Sequence, residues 1–201
     1  MGSYSNLLEA NYGGVGKYNI PMLDPVLECD DLKWLSFNFL NSTKCDKAKT
    51  GVTFWIDDHL FDRVWNYPFR YMEMLKGYNT VLSPDFSLYN DMPLAVQIYN
   101  KWRNNWLARY YQDNGIKVVP SIVWSDERSY EFAFEGIPKG SIVSVSNVGC
   151  MREKKYTHYF NKGYNKMLEV LEPKEILFFA HKFDNYDGNV RFIRYNEHNG
   201  G

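Results

Sequence analysis

From residue 50 onward, short apolar runs alternate with longer stretches of helical periodicity. Five runs rich in β-branched and aromatic residues are interpreted as strands. They cover residues 51–56, 80–82, 117–124, 141–146 and 175–180. Strands that alternate with helices indicate a parallel sheet, and such sheets carry their functional sites at the carboxyl ends of the strands.

The segments between these strands predict the helices. They cover residues 60–77, 93–114, 125–135 and 151–171. The first segment is interrupted by Pro68 and is predicted as one or two helices. The second begins at Pro93 and is ended by Gly115. The third is a short helix that begins with Ser125 or Asp126 as its cap.

The spacing of the strands limits the topology. Their first residues are 24 to 37 positions apart, which suits right-handed strand–helix–strand crossovers. Five such units are too few for an eight-stranded β/α barrel. We therefore predict an α/β fold with a mostly parallel five-stranded sheet and flanking helices, arranged as an open sheet or an incomplete β/α barrel. Residues 190–195 add a predicted antiparallel edge strand, and Pro120 predicts an edge, a bulge or a bend in the third strand.

The length of 201 residues indicates one α/β domain. Residues 1–45 are interpreted as an N-terminal arm and cover, residues 50–182 as the βα repeats, and residues 183–201 as the edge strand and tail. The glycine-rich segment 13–17 lacks the spacing of a phosphate-binding loop, so no nucleotide motif is assigned to it.

Charge and aromatic content limit the class of partner. The net charge of −1 argues against a generic electrostatic grip on duplex DNA. Aromatic residues make up 17% of the chain. Such rings either pack with their polar tips in water or form a surface that stacks on bases or anchors a protein partner, and both alternatives stay open. Candidate anchors on the long helix are Trp102, Trp106, Tyr110 and Tyr111, although most of these rings are expected to face the core.

Cysteine spacing and hydropathy indicate the compartment. The three cysteines are widely separated and include no Cys-x-x-Cys pair, so free thiols and a reducing environment are expected. Residues 1–20 lack the pattern of a signal peptide, and no apolar run approaches the length of about 18 residues that spans a bilayer. We expect a cytoplasmic protein without a membrane partner.

Carboxylates follow the first two predicted strands. Asp57 and Asp58 come after the first strand, and Asp85 comes after the second behind the rigid Pro84. Two such carboxylates would hold Mg²⁺ or Mn²⁺, or would form an acid–base pair in which one raises the pKa of the other. The alternative is that they cap helices and turns. Asp57 and Asp85 are the candidate metal ligands and catalytic residues.

The later strands end in further candidates. Trp124 offers a stacking face, and Glu127 is a candidate general acid or base. Ser146 and Asn147 precede a predicted helix and form a candidate anion pocket. His181 is the best placed of the four histidines for proton transfer or metal binding. Each residue has a structural alternative, namely the rim of the core, a helix cap or a solvated side chain.

Several segments carry a resemblance to a known family. They are residues 81–87 (Val-Leu-Ser-Pro-Asp-Phe-Ser), 92–94 (Met-Pro-Leu) with Gln97, 115–124 (Gly-Ile-Lys-Val-Val-Pro-Ser-Ile-Val-Trp), 134–138 (Phe-Glu-Gly-Ile-Pro) and 144–149 (Ser-Val-Ser-Asn-Val-Gly). The chain resembles, over roughly residues 50–182, a family of uncharacterised proteins of bacteriophages, plasmids and Gram-positive bacteria. The resemblance implies a mobile-element setting and the cytoplasm of a host cell. It transfers no activity and no catalytic residues.

Two classes of function follow from these observations. The first is an enzyme that acts on a nucleotide, a nucleic acid or another phosphoester through Asp57, Asp85, Glu127 and His181. The second is a non-enzymatic binding protein of phage type that occludes a host, replication or defence partner through aromatic anchors. Single-stranded nucleic-acid binding by aromatic stacking is a third, related hypothesis.

Overall fold

The computed structural model describes residue 6 and residues 10–151, 153–180 and 185–194. An antiparallel hairpin opens the chain, formed by β1 (Gly14–Val15) and β2 (Ile20–Pro21). A parallel sheet of four strands follows, in the order β3 (Lys33–Ser36), β4 (Thr50–Thr53), β5 (Thr80–Leu82) and β6 (Val118–Val119). A second parallel sheet contains β7 (Ile142–Ser146), β8 (Glu175–Ala180) and β9 (Val190–Arg194).

In the part of the chain that the structure describes, four α-helices lie between the strands, together with short 3-10 turns. They are α1 (Arg63–Asn66), α2 (Pro68–Leu75), α3 (Leu94–Asp113) and α4 (Lys154–Leu171). The break predicted at Pro68 is confirmed, because this proline starts α2 directly after α1. The third predicted helix is a 3-10 helix, Glu127–Glu131, and Asp126 is its cap.

The mixed α/β class and the parallel strands are confirmed, but the single five-stranded sheet is wrong. The first sheet ends at Val119, since Pro120 has no N–H with which to continue the ladder. Among the described residues, a single bridge between Ser121 and Ser144 joins it to the second sheet. The backbone N–H of Ser144 donates to the carbonyl of Pro120 at 2.8 Å, and Ile122 N–H donates to the carbonyl of Ser144 at 2.8 Å.

The last strand also differs from its prediction, because β9 pairs with β8 in parallel. A parallel pair needs a connection that carries the chain back to the start of the sheet. Part of that connection is anchored on the helical side, where the Tyr186 ring stacks on Phe178 with centroids 4.5 Å apart. The hydroxyl of Tyr164 in α4 donates to the carbonyl of Asp187 at 2.7 Å.

Two apolar clusters cover the two faces of the sheets. The larger cluster packs the strands against the helices. The smaller one lies between the sheets themselves, and its buried residues are Val26, Trp34, Trp55, Leu82, Val119, Ile142, Leu177 and Phe179. Trp34 of β3 meets Phe179 of β8 edge to face with centroids 5.3 Å apart. The indole of Trp55 donates to Ser144 Oγ of β7 at 2.8 Å. The inner faces of the two sheets therefore pack against each other.

Helix α3 buries an unexpectedly polar face. The buried polar residues are Gln97, Asn100, Lys101, Asn104 and Asn105, and they recur at spacings of three and four residues. Trp106 and Tyr111 are fully buried, so they are not surface anchors and face the core, which was the expected alternative, whereas Trp102 and Tyr110 are half-buried.

Candidate active site at the carboxyl ends of the strands

The chain after β5 is fixed to the chain after β6 by two serines. The backbone N–H of Ser121 donates to Ser83 Oγ at 2.8 Å, and the hydroxyl of Ser121 donates to the carbonyl of Ser83 at 2.8 Å. Both serines are buried. These reciprocal bonds continue the connection between the two strands beyond the end of the ladder, so the following residues leave the sheet from a fixed point.

Helix α3 fixes the backbone of Phe86 and Ser87, the two residues that follow Asp85. Asn104 accepts from the backbone N–H of Phe86 at 2.9 Å and donates to its carbonyl at 3.1 Å. Asn100 donates to the carbonyl of Ser87 at 2.7 Å. Buried amides on the helix thus replace a strand partner for an irregular backbone segment.

Asp58 completes this attachment from the end of β4. Its carboxylate accepts from the hydroxyl of Ser87 at 2.8 Å and from the backbone N–H of Ser87 at 3.1 Å. Asp58 begins a 3-10 turn and is half-buried. The carboxylate of Asp58 is therefore held beside the loop that carries Asp85.

Asp85 is the one side chain in this loop whose hydrogen-bonding capacity is left open. The residue is only 6% exposed, and its Oδ1 atom is buried without a hydrogen-bond partner. Burial, followed by the negative charge of Asp58, raises the pKa of Asp85 well above its usual range, and a backbone hydrogen bond opposes part of this rise. A proton or a cation would relieve the repulsion between the two carboxylates.

Helix α3 also carries two basic side chains that are withdrawn from solvent, the buried Lys101 and the half-buried Arg103. The guanidinium of Arg103 lies over the Phe86 ring, with its central carbon 3.3 Å from the ring centroid. Burial lowers the pKa of Lys101 to about 7, and the charge of Glu135 opposes this effect. Neither residue was a candidate in the sequence. The available signal was the run of Asn, Gln and Lys at helical spacing on the helix that follows Pro93.

Asp57 and Asp58 are adjacent in the chain but lie in different environments. Asp57 is exposed and makes no capping hydrogen bond, and His59 is also exposed. The carboxylate whose charge acts on Asp85 is that of Asp58. Asp57 as a metal ligand and catalytic residue therefore stays a prediction, and Asp58 is the neighbour that the prediction passed over.

Glu127 and Trp124 lie after β6 in a different environment. Glu127 is exposed and forms an ion pair with Lys162 at 2.7 Å, and a hydrogen bond from this lysine lowers the pKa of Glu127. Trp124 is half-buried between Phe160 and Phe134, with ring centroids 5.3 and 6.3 Å away. Its indole packs directly on Gly163 of α4, where a Cβ atom would clash.

The predicted anion pocket after β7 does not lie at a helix N-terminus, because α4 begins only at Lys154. Ser146 Oγ instead donates to the carbonyl of Phe179 at 3.1 Å and accepts from Val148 N–H at 3.2 Å. Asn147 is buried. Burial raises the pKa of the Cys150 thiol, which disfavours a reactive thiolate. His181 lies outside the described residues.

The described residues contain no group of three or more His, Cys, Asp or Glu side chains arranged to hold a metal ion. Two surface depressions occur elsewhere, one of about 490 Å³ beside Asp24 and Lys117 and one of about 350 Å³ beside Asn161 and Tyr186. Neither is lined by Asp58 or Asp85. Within the described ranges, every helix is too short or too polar to span a bilayer.

The order of the elements and the pairing of the strands define an α/β protein with parallel sheets, and carboxylates follow two of the strands. The chain belongs to the family described as Domain of unknown function (DUF4417), whose model matches residues 12–196. This match confirms the resemblance noted in the sequence.

Two phage proteins are similar to the chain. It is 35% identical to the Gene 1 protein of Mycobacterium phage L5 over 132 residues, which are 65% of this chain and 58% of that protein. It is 34% identical to the Gene 1 protein of Mycobacterium phage D29 over 127 residues, which are 63% of this chain and 47% of that protein. The chain thus spans about half the length of these relatives. No solved structure matches it.

Proposed function

We propose that the chain is an enzyme that acts on a nucleotide, a nucleic acid or another phosphoester at the carboxyl ends of its parallel strands, with Asp85 as the central catalytic residue. One observation carries the proposal. Asp85 is buried beside a second carboxylate with an unpartnered oxygen, while the backbone around it is fixed by Asn100, Asn104 and Asp58. Perturbed and unsatisfied carboxylates in a rigid loop are typical of catalytic sites.

The fold supports this location for the site. We infer that the two sheets form one incomplete β/α barrel within a single domain. Strands β3 to β9 are all parallel to their neighbours and follow one another in chain order. The bridge at Ser144 joins the sheets, and the Trp34–Phe179 contact crosses the space between them. In barrels of this kind the active site lies at the carboxyl ends of the strands.

Two roles for Asp85 are consistent with its environment. As a general acid, it donates its proton to the leaving oxygen while water attacks phosphorus and the P–O bond to the leaving group breaks. The proton released by the water then restores the carboxyl group. As a ligand, it binds Mg²⁺ or Mn²⁺ together with Asp58, which takes the place that the sequence suggested for Asp57. Glu127, His181, Trp124, Ser146 and Asn147 remain predicted members of the same edge.

The decisive comparison is between Asp85→Asn and a matched control, Asp24→Asn. Asp24 is an exposed aspartate that pairs with Arg109 near the amino end of β6. The assay is hydrolysis of phosphomonoesters, phosphodiesters, nucleotides and short oligonucleotides with Mg²⁺ or Mn²⁺ present. We expect Asp85→Asn to lower the rate about 10²- to 10⁴-fold without lowering the melting temperature. Full activity in Asp85→Asn would contradict the proposal.

A second candidate function is the occlusion of a host or replication partner by a protein interface. Four exposed aromatic side chains favour it, since interfaces use such rings as anchors. Tyr67, Phe69, Tyr89 and Tyr99 are 58%, 60%, 57% and 42% exposed. The test is capture from host lysate by the wild-type chain and by a Phe69→Ser, Tyr89→Ser variant. Equal background from both would count against this function, and salt-dependent retention of oligonucleotides would instead indicate single-strand binding.

A further inference from the structure

We infer that Arg103 binds the phosphate group of the substrate, and that this phosphate and a divalent cation at Asp58 and Asp85 bind cooperatively. The inference rests on the proposed function. It names the substrate group that the site recognises and the residue that recognises it.

The position of Arg103 supports the inference. It precedes Asn104, the residue that clamps both backbone groups of Phe86. Its guanidinium carbon lies 3.3 Å from the centroid of the Phe86 ring and 5.2 Å from that of Tyr99. Phe86 directly follows Asp85 in the chain. The cation is therefore held against the same rigid loop that carries the unpartnered carboxyl group.

Arg103 differs from the paired arginines in its lack of an acceptor. Arg109, Arg128 and Arg191 each form an ion pair with a carboxylate, at 2.6 to 2.9 Å. Arg103 makes no hydrogen bond or ion pair within the part of the chain that the structure describes, and its Nε atom is buried without a partner. Leaving the N–H donors of a partly buried guanidinium without acceptors costs free energy. The planar guanidinium matches two oxygens of a phosphate group, which could accept from these donors.

The neighbouring charges explain why a cation must bind as well. Burial lowers the pKa of Arg103, and Tyr99, Asp58 and Asp62 oppose this effect, so both carboxylates lie close enough to act on the guanidinium. A phosphate placed on Arg103 alone would be repelled by these carboxylates and by ionised Asp85. A cation between Asp58, Asp85 and the phosphate removes this repulsion, and the charges then alternate from carboxylate to cation to phosphate to guanidinium.

Thermodynamic linkage makes this arrangement measurable without an assay of activity. If each ligand strengthens the other, Mg²⁺ tightens phosphate binding by the same factor as phosphate tightens Mg²⁺ binding. The experiment measures the binding of inorganic phosphate to the full chain by calorimetry, with and without Mg²⁺, and the melting temperature under the same conditions. The variants are Arg103→Gln and Arg70→Gln. Arg70 is a matched control, because it is exposed and also lies over a tyrosine ring, 5.7 Å from the centroid of Tyr71.

We expect wild type and Arg70→Gln to bind phosphate more tightly with Mg²⁺ than without it. Arg103→Gln should bind phosphate about ten- to a hundredfold more weakly and still bind Mg²⁺. Arg103→Lys, which keeps the charge and loses the fork, should fall between them. Unchanged phosphate binding in Arg103→Gln, with the fold retained, would overturn the inference whatever the activity of Asp85→Asn. Loss of activity in Asp85→Asn, with Mg²⁺-free phosphate binding retained and its tightening by Mg²⁺ lost, would support both Arg103 as the anion-binding residue and Asp85 as the catalytic, cation-binding one.

Discussion

Two loops at the same edge of the molecule contain acidic side chains in opposite situations. The β5 loop, residues 83–87, contains Asp85, and the β6 loop, residues 121–128, contains Asp126 and Glu127. Burial raises the pKa of Asp85, whereas hydrogen bonds from Arg128 and Lys162 lower the pKa values of Asp126 and Glu127. Proximity to a strand end therefore does not by itself separate these carboxylates, whereas the absence of a hydrogen-bonded cationic partner distinguishes Asp85 from Asp126 and Glu127.

The loops also differ in what fixes them. The β5 loop is fixed by polar side chains, chiefly Asn100 and Asn104 on α3 and Asp58 after β4. The β6 loop is also bonded to the β5 loop through Ser121 and to α3 through Ser125, whose hydroxyl donates to Gln97 Oε1 at 2.6 Å. Its acidic end, however, is fixed by its own bonds, since Asp126 accepts from Arg128 N–H at 3.1 Å, and by the packing of Trp124 on Gly163. Substitutions that remove the Asn104 clamp or the Trp124 packing should therefore act mainly on one loop.

The largest effect on stability is expected from Asn104→Ala. This change removes both hydrogen bonds to Phe86 and leaves a buried N–H and a buried carbonyl without partners. We expect a loss of about 2–4 kcal/mol in the free energy of unfolding, measured by urea denaturation. Asn161→Ala, at an exposed position on α4, is the control and should change stability little. A loss below about 0.5 kcal/mol in Asn104→Ala would mean that the β5 loop does not depend on this clamp.

The β6 loop should be broken by Gly163→Ala. Alanine normally favours a helix over glycine by about 1 kcal/mol, but its Cβ atom at this position would overlap the Trp124 indole. Because the ring must shift against Phe160 and Phe134, we expect a net loss of about 1–3 kcal/mol.

Asn165→Ala, two residues along the same helix and exposed, controls for helix propensity and should be neutral or stabilising. Fluorescence of the tryptophans during denaturation would follow the change in Trp124. A gain in stability for Gly163→Ala would show that the ring has room to move.

The sequence predicted well those elements that depend on neighbouring residues and predicted poorly those that depend on residues distant in the chain. Local patterns sufficed for β5 and β8, whose bounds match their predictions, and for the helix that ends before Gly115. They failed where distant partners decide the outcome. Pro120 predicted an edge, a bulge or a bend in the third strand, but not that Ser121 pairs with Ser144 of the second sheet, and the direction of β9 goes with the packing of Tyr186 on Phe178.

The candidate site follows the same division between local and distant interactions. Asp85 became a candidate because strand ends and Pro84 are visible in the chain, and its burial with an unpartnered oxygen was not predicted. The choice between Asp57 and Asp58 depends on where a single 3-10 turn begins, and one residue of difference places one carboxylate in solvent and the other beside Ser87. Arg103 was not among the candidate residues, because the position of its guanidinium over Phe86 depends on which loop α3 packs against. Helical periodicity gives the face of a helix and not its neighbour.

The opposite pKa shifts of the two loops predict opposite responses to pH. The folded pKa of Asp85 lies above its unfolded value, so its contribution to stability is fully present below the unfolded pKa, about 3.9, and is lost as pH rises through the folded pKa. For Asp126 the folded pKa is lower, so its contribution is present above the unfolded pKa and is lost as pH falls through the folded pKa.

The test compares melting temperatures of wild type, Asp85→Asn and Asp126→Asn from pH 3 to pH 9. We expect Asp85→Asn to gain on wild type by several degrees as pH rises above about 4, because asparagine removes a buried charge. Asp126→Asn should lose stability relative to wild type over the same rise, because asparagine loses the charged partner of Arg128. Parallel curves for all three proteins would contradict the difference between the loops.

The smallest effect on stability is expected from Glu127→Gln. This variant also gives the clearest functional contrast with Asp85→Asn. Its ion pair with Lys162 joins two side chains that are 56% and 51% exposed, and exposed pairs of this kind contribute little to stability. Glu127→Gln should therefore leave the melting temperature unchanged within error, and Lys162→Gln should behave in the same way. If Glu127 has no part in the reaction, the rate also stays within about twofold of wild type, against the 10²- to 10⁴-fold loss expected for Asp85→Asn. A large loss of rate in Glu127→Gln alone, with an unchanged melting temperature, would restore Glu127 as an acid or base and would show that a cationic partner does not disqualify a carboxylate at this edge.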